Sequence, residues 1–166
     1  MKDLYLIGGP MGVGKTTACQ ELKKELPDSV FLDGDWCWDA SPFYVTEETK
    51  QMVMDNIHHL LRNFLSCSAY QNVIFCWVMD HQEIIDDILQ GLDTKDCRVR
   101  VISLLCGKEE LCRRLKKDIV QGLRQEDILV RSCARLPLYE ALNSKKIDTT
   151  DMTVKEIVQK IRETMD

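Results

Sequence analysis

The stretch Gly9-Pro10-Met11-Gly12-Val13-Gly14-Lys15-Thr16 matches the pattern G-x-x-x-x-G-K-[S/T]. A loop of this kind presents backbone N–H groups to phosphate oxygens when it follows a buried strand and opens a helix. Both conditions are met, because the apolar run Leu4–Ile7 precedes the loop and a helical apolar pattern from about Lys15 to Leu26 follows it. The N-terminus of that helix adds the positive end of its dipole. The sequence therefore predicts that nucleotide phosphates bind at residues 9–16, the segment called the phosphate loop below.

Individual residues of the phosphate loop have predicted roles. Lys15 supplies a positive charge to the β- and γ-phosphates, and the hydroxyl of Thr16 is a ligand for Mg²⁺. The alternative is a glycine-rich turn with a coincidental lysine. The residues expected to contact the nucleotide here are Gly9, Pro10, Met11, Gly12, Val13, Gly14, Lys15, Thr16 and Thr17.

The totals of the sequence exclude several classes of protein. Its 166 residues fit one domain, residues 1–166, with 45% apolar and 30% charged residues. A net charge of −5 argues against a surface that binds nucleic acid nonspecifically. No apolar run approaches the roughly 20 residues that span a bilayer, and the N-terminus lacks the pattern of a signal peptide. We therefore expect a cytoplasmic protein without a membrane partner.

Eight cysteines are a high count for this length. None is spaced C-x-x-C, and several lie inside apolar runs, such as Cys76 and Cys106. We interpret them as small core residues in a reducing compartment. A disulfide framework is the alternative.

Strand-like and helix-like patterns alternate along the chain. This alternation predicts an open parallel sheet of five strands with helices on both faces. The predicted strands are Leu4–Ile7, Val30–Leu32, Val73–Val78, Arg98–Leu105 and Lys146–Asp148. The predicted helices are Lys15–Leu26, one that Thr46 caps, Gln82–Leu89, Lys108–Ile119, Gln125–Leu142 with an interruption at Pro137, and a terminal helix from about Val154.

Two aspartates, Asp33 and Asp35, follow the second predicted strand. Ligands of open parallel sheets bind beyond the carboxyl ends of the strands, so this pair is expected to face the phosphates. One carboxylate, assigned to Asp33, can hold Mg²⁺, and the other, Asp35, can accept a proton from a substrate hydroxyl. A polar turn is the alternative, because Asp-Gly is a common turn dipeptide. The aromatic residues Trp36, Trp38 and Phe43 come next and are expected either to wall a substrate pocket or to pack in the core.

Asp80 is a second candidate for the metal. It ends the apolar run that begins at Val73, as an acidic residue does in many nucleotide-binding proteins. A helix N-cap is the alternative role.

A group of basic residues stands out in this acidic protein. Arg124, Arg131 and Arg135 are spaced seven and four residues apart, so they would share one face if the segment is helical. Arginines in a mobile lid can stabilise charge on a transferred phosphoryl group. Gly122 would form the loop of a lid over about residues 113–135. The alternative is a solvated face with ion pairs between residues four apart.

The chain resembles the small P-loop kinases of the shikimate, gluconate and nucleotide kinase group. The resemblance rests on Gly9–Thr16, on Asp33-x-Asp35, and on the run Arg135–Glu140 followed by Ile147-Asp148-Thr149. It implies a three-layer α/β/α P-loop NTPase fold with strand order 2-3-1-4-5 and a helical lid.

The same resemblance implies roles for single residues. Asp33 would serve Mg²⁺, while Asp35 and Arg135 would serve the acceptor. From the group of basic residues itself, we expect Arg124, Arg131 and Arg135 to serve the lid and the anionic end of the acceptor. Arg114 would stack on the nucleotide base, and Arg124 would be the lid arginine. Shikimate kinases carry three glycines where this chain has Val78-Met79-Asp80-His81, so the acceptor pocket is not expected to suit shikimate. The run Asp-Gly-Asp-Trp is more similar to bacterial nucleotide-kinase-like proteins and antibiotic phosphotransferases.

These observations favour a kinase that uses ATP, or GTP, and Mg²⁺ to phosphorylate a small hydroxylated molecule or a nucleotide. Lys15, Asp35 and Arg124 are the predicted catalytic residues. Two alternatives remain open: a nucleotide-binding switch or NTPase without a small-molecule acceptor, and a nucleotide-binding module without activity.

Overall fold

Five parallel strands form the central sheet, in the order β2-β3-β1-β4-β5. The structure is a computed structural model that describes residues 1–165. The strands are β1 Lys2–Gly8, β2 Ser29–Asp33, β3 Asn72–Cys76, β4 Cys97–Leu105 and β5 Lys145–Asp148. Both the number of strands and their order confirm the prediction.

Six α-helices connect and cover the strands. They are α1 Lys15–Glu25, α2 Glu47–Ser66, α3 Gln82–Gln90, α4 Lys108–Val120, α5 Ile128–Arg135 and α6 Val154–Arg162. Short 3₁₀ helices cover Gly34–Trp38, Leu136–Ala141 and Glu163–Met165. None of the helices in residues 1–165 combines the length and apolar character needed to cross a membrane.

The central strand β1 shows why the fold has three layers. Alternate side chains of a strand point to opposite faces of the sheet. Tyr5 and Ile7 pack in a core with α1, α4, α5 and α6, whereas Leu4 and Leu6 pack in a second core with α2 and α3. All four side chains are fully buried, so this strand needs apolar residues at consecutive positions.

Helix α2 begins where the sequence predicts. The Thr46 side chain accepts a hydrogen bond from the Thr49 backbone N–H at 3.1 Å, and the Thr49 hydroxyl accepts one from the Thr46 N–H at 2.8 Å. This reciprocal capping satisfies two N–H groups that the helix itself leaves without partners.

Two predicted elements are wrong in their extent. Strand β3 ends at Cys76 rather than at Val78, so Trp77 and Val78 lie in the loop at the carboxyl edge of the sheet. The helix predicted over Gln125–Leu142 is confined to Ile128–Arg135. Pro137 lies in the first turn of the following 3₁₀ helix, because a proline cannot donate the N–H that a continuing α-helix requires.

All eight cysteines have free thiols in this structure, and half of them lie in the core. Cys19, Cys37, Cys76 and Cys106 are buried, whereas Cys67 is exposed. The remaining three are half-buried, and two of them, Cys112 and Cys133, bring their sulfur atoms to 3.1 Å between α4 and α5.

Candidate functional site

The phosphate loop connects β1 to α1 at the carboxyl edge of the sheet. Gly9 has a φ of 144°, and a Cβ there would lie 2.4 Å from the Leu104 carbonyl oxygen. Gly14 caps α1 in the left-handed conformation with a φ of 96°. Both positions need glycine, which explains the spacing of the motif and leaves the N-terminus of α1 open to a phosphate.

Neighbouring elements hold the loop from behind. The Arg114 guanidinium donates to the Val13 carbonyl at 3.0 Å, and the Ser132 hydroxyl donates to the Met11 carbonyl at 2.8 Å. These bonds come from α4 and α5, so the two helices fix the shape of the phosphate loop. Ser132 was not singled out from the sequence, because a lone serine in a helix carries no motif.

Lys15 lies across the loop that it belongs to. Its ammonium group donates to the carbonyl oxygens of Gly9 at 2.9 Å and Pro10 at 3.0 Å. Burial lowers the pKa of Lys15, while the neighbouring carboxylates of Asp35 and Asp33 act in the opposite direction. A cation that is poorly solvated in this way interacts strongly with an incoming anion.

The acidic pair faces this lysine. Asp33 ends β2 and is buried, and its Oδ2 accepts a hydrogen bond from the Thr16 hydroxyl at 2.7 Å. Its other oxygen accepts one from the Asp35 backbone N–H at 3.0 Å. Asp35 lies in the 3₁₀ helix Gly34–Trp38, directly after the strand. This turn places Asp35 at the same edge of the sheet as the phosphate loop.

Asp35 is held in place by Trp77. The indole N–H donates to Asp35 Oδ1 at 3.2 Å. Burial and the Asp33 carboxylate raise the pKa of Asp35, and the opposing effects of Lys15, Trp77 and Arg124 only partly offset them. A carboxylate with a raised pKa is a better proton acceptor than an ordinary aspartate. Trp77 was missed because the sequence placed it inside a strand.

Two cavities meet at this point. One, of about 710 Å³, contains the phosphate loop and extends along α4 to Thr150 and Met152. The other, of about 570 Å³, lies between the loop, α2, α3 and α5. Asp35 and Trp77 line both cavities. The arrangement can therefore hold a phosphate donor on one side of Asp35 and a second molecule on the other.

The three arginines do not share one face. Arg124 precedes α5, lines the cavity of the phosphate loop and pairs with Asp118 at 3.0 Å. Arg131 and Arg135 belong to α5 and line the other cavity. Arg131 pairs with Asp127 four residues earlier, as the solvated-face alternative predicts.

Asp80 is not the N-cap of α3, and it lines the second cavity, whereas Thr16 lines the cavity of the phosphate loop. The N-cap position of α3 is His81. Asp80 is only 3% exposed and accepts hydrogen bonds from Arg135 at 2.8 Å and from His81 at 2.7 Å. Its carboxylate belongs to the second cavity, whereas Asp33 contacts the phosphate loop.

Arg114 connects the loop to the segment after β5. Besides Val13, its guanidinium donates to the Thr149 carbonyl at 3.0 Å and to Glu110 at 2.7 Å. Arg114 also lines the cavity of the phosphate loop, together with Thr150. Arg114 therefore lies between the phosphate loop and the segment that begins at Thr149.

The fold and the loop define a protein of the P-loop NTPase class. A family model described as an AAA domain matches residues 6–129, and the chain belongs to that family. No curated protein matches the chain.

Solved structures of kinases and of a resistance protein share the fold. A sugar kinase from Janibacter sp. HTCC2649 has a TM-score of 0.73 at 16% identity, covering 100% of this chain and 95% of its own. The tunicamycin resistance protein of Deinococcus radiodurans has a TM-score of 0.71 at 17% identity, covering 99% and 96%. Shikimate kinase from Acinetobacter baumannii, solved with shikimate, has a TM-score of 0.63 at 22% identity, covering 99% and 93%. The resemblance to small P-loop kinases is thereby confirmed at the level of the fold.

Proposed function

We propose that the protein is a kinase that transfers the γ-phosphate of ATP, or of GTP, to a hydroxyl group of a small molecule. The position of Asp35 carries this proposal, since the carboxylate lies at the junction of the two cavities. A hydrolase or a switch needs only the phosphate cavity, whereas a kinase also needs room for an acceptor beside the transferred group.

The phosphate side would hold the donor. The N–H groups of the loop and the Lys15 ammonium bind the phosphates, with Lys15 turning away from the carbonyls of Gly9 and Pro10. Arg114 and the segment after Asp148 lie beside the nucleotide base. Arg124 offsets the charge of the transferred group.

The residues near Lys15 fit Mg²⁺. This ion prefers oxygen ligands and is usually held by one or two side chains together with phosphates and waters. The Thr16 hydroxyl and the Asp33 carboxylate are such oxygen donors, and their oxygens lie 2.7 Å apart. Bound there, Mg²⁺ would neutralise phosphate charge.

On the acceptor side, Asp35 would act as the base. The acceptor hydroxyl oxygen forms a bond to the γ-phosphorus while the bond from that phosphorus to the β-phosphate oxygen breaks. Asp35 takes the hydroxyl proton, and ADP leaves with the electron pair of the broken bond. Arg131 and Arg135 contribute to the wall of the acceptor cavity. We propose that residues 113–135, which include the Gly122 turn, close over both substrates as a lid.

The test is acceptor-dependent turnover. ADP formation and transfer of labelled γ-phosphate are measured with Mg²⁺ and a panel of neutral aromatic alcohols, nucleosides, sugars and sugar acids. We expect a phosphorylated product, and we expect Lys15→Ala to lower its formation at least 100-fold. The matched control is Lys24→Ala, which removes an exposed lysine from the same helix.

Three results would count against the proposal. They are full activity in Lys15→Ala, ADP formation that never depends on an acceptor, and the absence of a phosphorylated product.

A further inference from the structure

We infer that the acceptor is an alcohol with a flat, largely apolar body and no anionic group. The inference rests on the proposed kinase function and narrows its substrate class. The walls of the acceptor cavity, which is the cavity of about 570 Å³ that Asp35 lines together with α2, α3 and α5, carry it.

Aromatic rings form one wall of this cavity. Trp38 meets Phe43 edge to face at 4.9 Å and Trp77 at 5.9 Å between ring centroids. The side chains of Val53 and Met54, from α2, continue the apolar surface. A sugar buried here would lose water from its hydroxyl groups without recovering the hydrogen bonds, whereas a flat apolar body would gain contact with the rings.

Each cation that lines the cavity already has a carboxylate partner. Arg135 pairs with Asp80, Arg131 with Asp127 and Lys50 with Glu47. The first pair matters most, because the Asp80 carboxylate is 3% exposed and would lose its cation if Arg135 turned to an acceptor anion. Asp80 would then keep only its hydrogen bond from His81, and a buried carboxylate that loses its guanidinium partner is unfavourable.

Two carboxylates of α3 also disfavour an anionic acceptor. Glu83 and Asp87 line the cavity, and within residues 1–165 neither side chain has an ion-pair partner. Together with Asp35 they make the cavity repel an anion. Repulsion of this kind separates neutral from anionic molecules of the same shape. Arg135, which was expected to hold the acceptor, is paired with Asp80 instead.

The size of the cavity suits this class of acceptor. A volume of about 570 Å³ lies within the range of pockets that bury a drug-sized or nucleoside-sized molecule. Asp35 lines this cavity and the cavity of the phosphate loop, so one hydroxyl group at the edge of the apolar body is enough for reaction.

The test compares a neutral and an anionic acceptor of nearly the same shape, together with two polar acids. 4-(2-Hydroxyethyl)benzamide and 4-(2-hydroxyethyl)benzoate share a ring and a hydroxyl group, while gluconate and shikimate represent polar acids. We expect kcat/KM for the benzamide to exceed that for each of the three acids at least tenfold. We also expect Glu83→Gln combined with Asp87→Asn to reduce the ratio of benzamide to benzoate.

Variants of the aromatic wall give an independent readout. Trp38→Leu and Phe43→Ala should raise KM for the benzamide about tenfold and leave KM for ATP unchanged. Trp36→Leu is the matched control, because Trp36 is 54% exposed and packs on Phe31 outside the cavity. Circular dichroism of each variant checks that the fold persists.

The outcomes separate the inference from the proposed function. A preference for gluconate, shikimate or the benzoate overturns the acceptor class while leaving the kinase intact. The acceptor class is also overturned if the benzamide neither reacts nor quenches tryptophan fluorescence while ATP still binds. Failure of every compound in the wider panel to yield a phosphorylated product overturns the kinase itself.

Discussion

The surroundings of Asp35 favour proton transfer but lower the stability of the folded protein when this residue is ionised. Its carboxylate lies near the buried Asp33 and accepts a hydrogen bond from Trp77, so two negative groups face the same loop. Burial, and after it the Asp33 carboxylate, raise the pKa of Asp35, so the folded protein favours the protonated form more than the unfolded chain does. The same environment makes the ionised form an effective proton acceptor.

The first prediction concerns activity. Asp35→Asn should lower kcat by about 10²- to 10⁴-fold, since an amide cannot take the hydroxyl proton. Asp39→Asn, a change at an exposed aspartate four residues later, should leave kcat within about twofold. In the unmodified protein, kcat/KM should fall as pH drops through the raised pKa of Asp35. This acid limb should lie at higher pH than for an ordinary aspartate and be missing from Asp35→Asn.

The second prediction concerns stability, with the sign set by the same pKa. Ionising Asp35 costs stability once pH rises above the pKa of the unfolded chain, and the full cost is present above the folded pKa. Asp35→Asn should therefore be at least as stable as the unmodified protein at pH 7, and the difference should shrink as pH falls. Urea unfolding measures this. A clear loss of stability at pH 7 would contradict the assigned cause of the shift.

The third prediction treats Asp80 and Arg135 as a pair. Arg135→Gln should lower the free energy of unfolding by about 1.5–3 kcal/mol, because it removes a charged hydrogen bond from a buried carboxylate. Asp80→Asn in the same chain should restore part of that loss. A double-mutant cycle by urea unfolding measures the coupling. Purely additive effects would mean that the pair contributes nothing.

Helix α5 is the element that joins the two halves of the site. One side chain, Ser132, contacts the phosphate loop, while Arg131 and Arg135 line the acceptor cavity. The helix is only eight residues long, and its short length follows from Pro137. A movement of α5 would therefore change both cavities together.

The fourth prediction tests this connection. Ser132→Ala should raise the Kd for ATP by about twofold to tenfold, because loss of one hydrogen bond of about 0.5–1.5 kcal/mol loosens the loop at Met11. Ser68→Ala, at an exposed turn, is the matched control. Isothermal titration calorimetry measures both. If Ser132→Ala lowers stability but keeps the Kd, the bond supports the helix and not the loop.

In the whole molecule, the shape of the phosphate loop depends on contacts with the sheet and with two helices. The phosphate loop is held by α4 and α5, and Asp33 connects the loop to β2. A ligand that binds this arrangement must stabilise the native state over the unfolded chain, where the loop has no fixed shape.

The fifth prediction follows from that linkage. At a concentration of 100 times its Kd, ATP with Mg²⁺ should add about 2.7 kcal/mol to the free energy of unfolding. For a chain of this length this corresponds to a rise in Tm of about 5–10 °C. Lys15→Ala should show little of this rise, and Lys24→Ala should show all of it. Differential scanning calorimetry is the measurement, and an equal rise in Lys15→Ala would place the nucleotide elsewhere.

The features of the fold that depend on short stretches of the chain could be predicted from the sequence. The consecutive apolar residues of β1 and β3, the glycine spacing of residues 9–16 and the Thr46 cap each act within a few residues of the chain. Sheet formation, loop shape and helix initiation depend on such short-range sterics and burial, so these features could be predicted. The strand order came from the resemblance to known kinases.

Contacts between distant parts of the chain could not be predicted in this way. Trp77 and Asp35 are 42 residues apart, and Arg135 and Asp80 are 55 apart. Their hydrogen bonds depend on where β3 and α5 end, and those ends are decided by packing and by Pro137 rather than by apolar periodicity alone. Trp77 was not predicted as a site residue because β3 was predicted to extend past it. The three arginines were predicted to share a face because the helix was predicted to be longer than α5.

The sequence by itself therefore determined a phosphate loop on a parallel sheet, because Gly9 and Gly14 permit the backbone conformation of the loop and the apolar run before it forms a buried strand. Only the tertiary structure decided what lies opposite that loop. It set Asp35 between two cavities and paired Arg135 with the buried Asp80, since charges far apart in the chain become partners only once folding has brought them together.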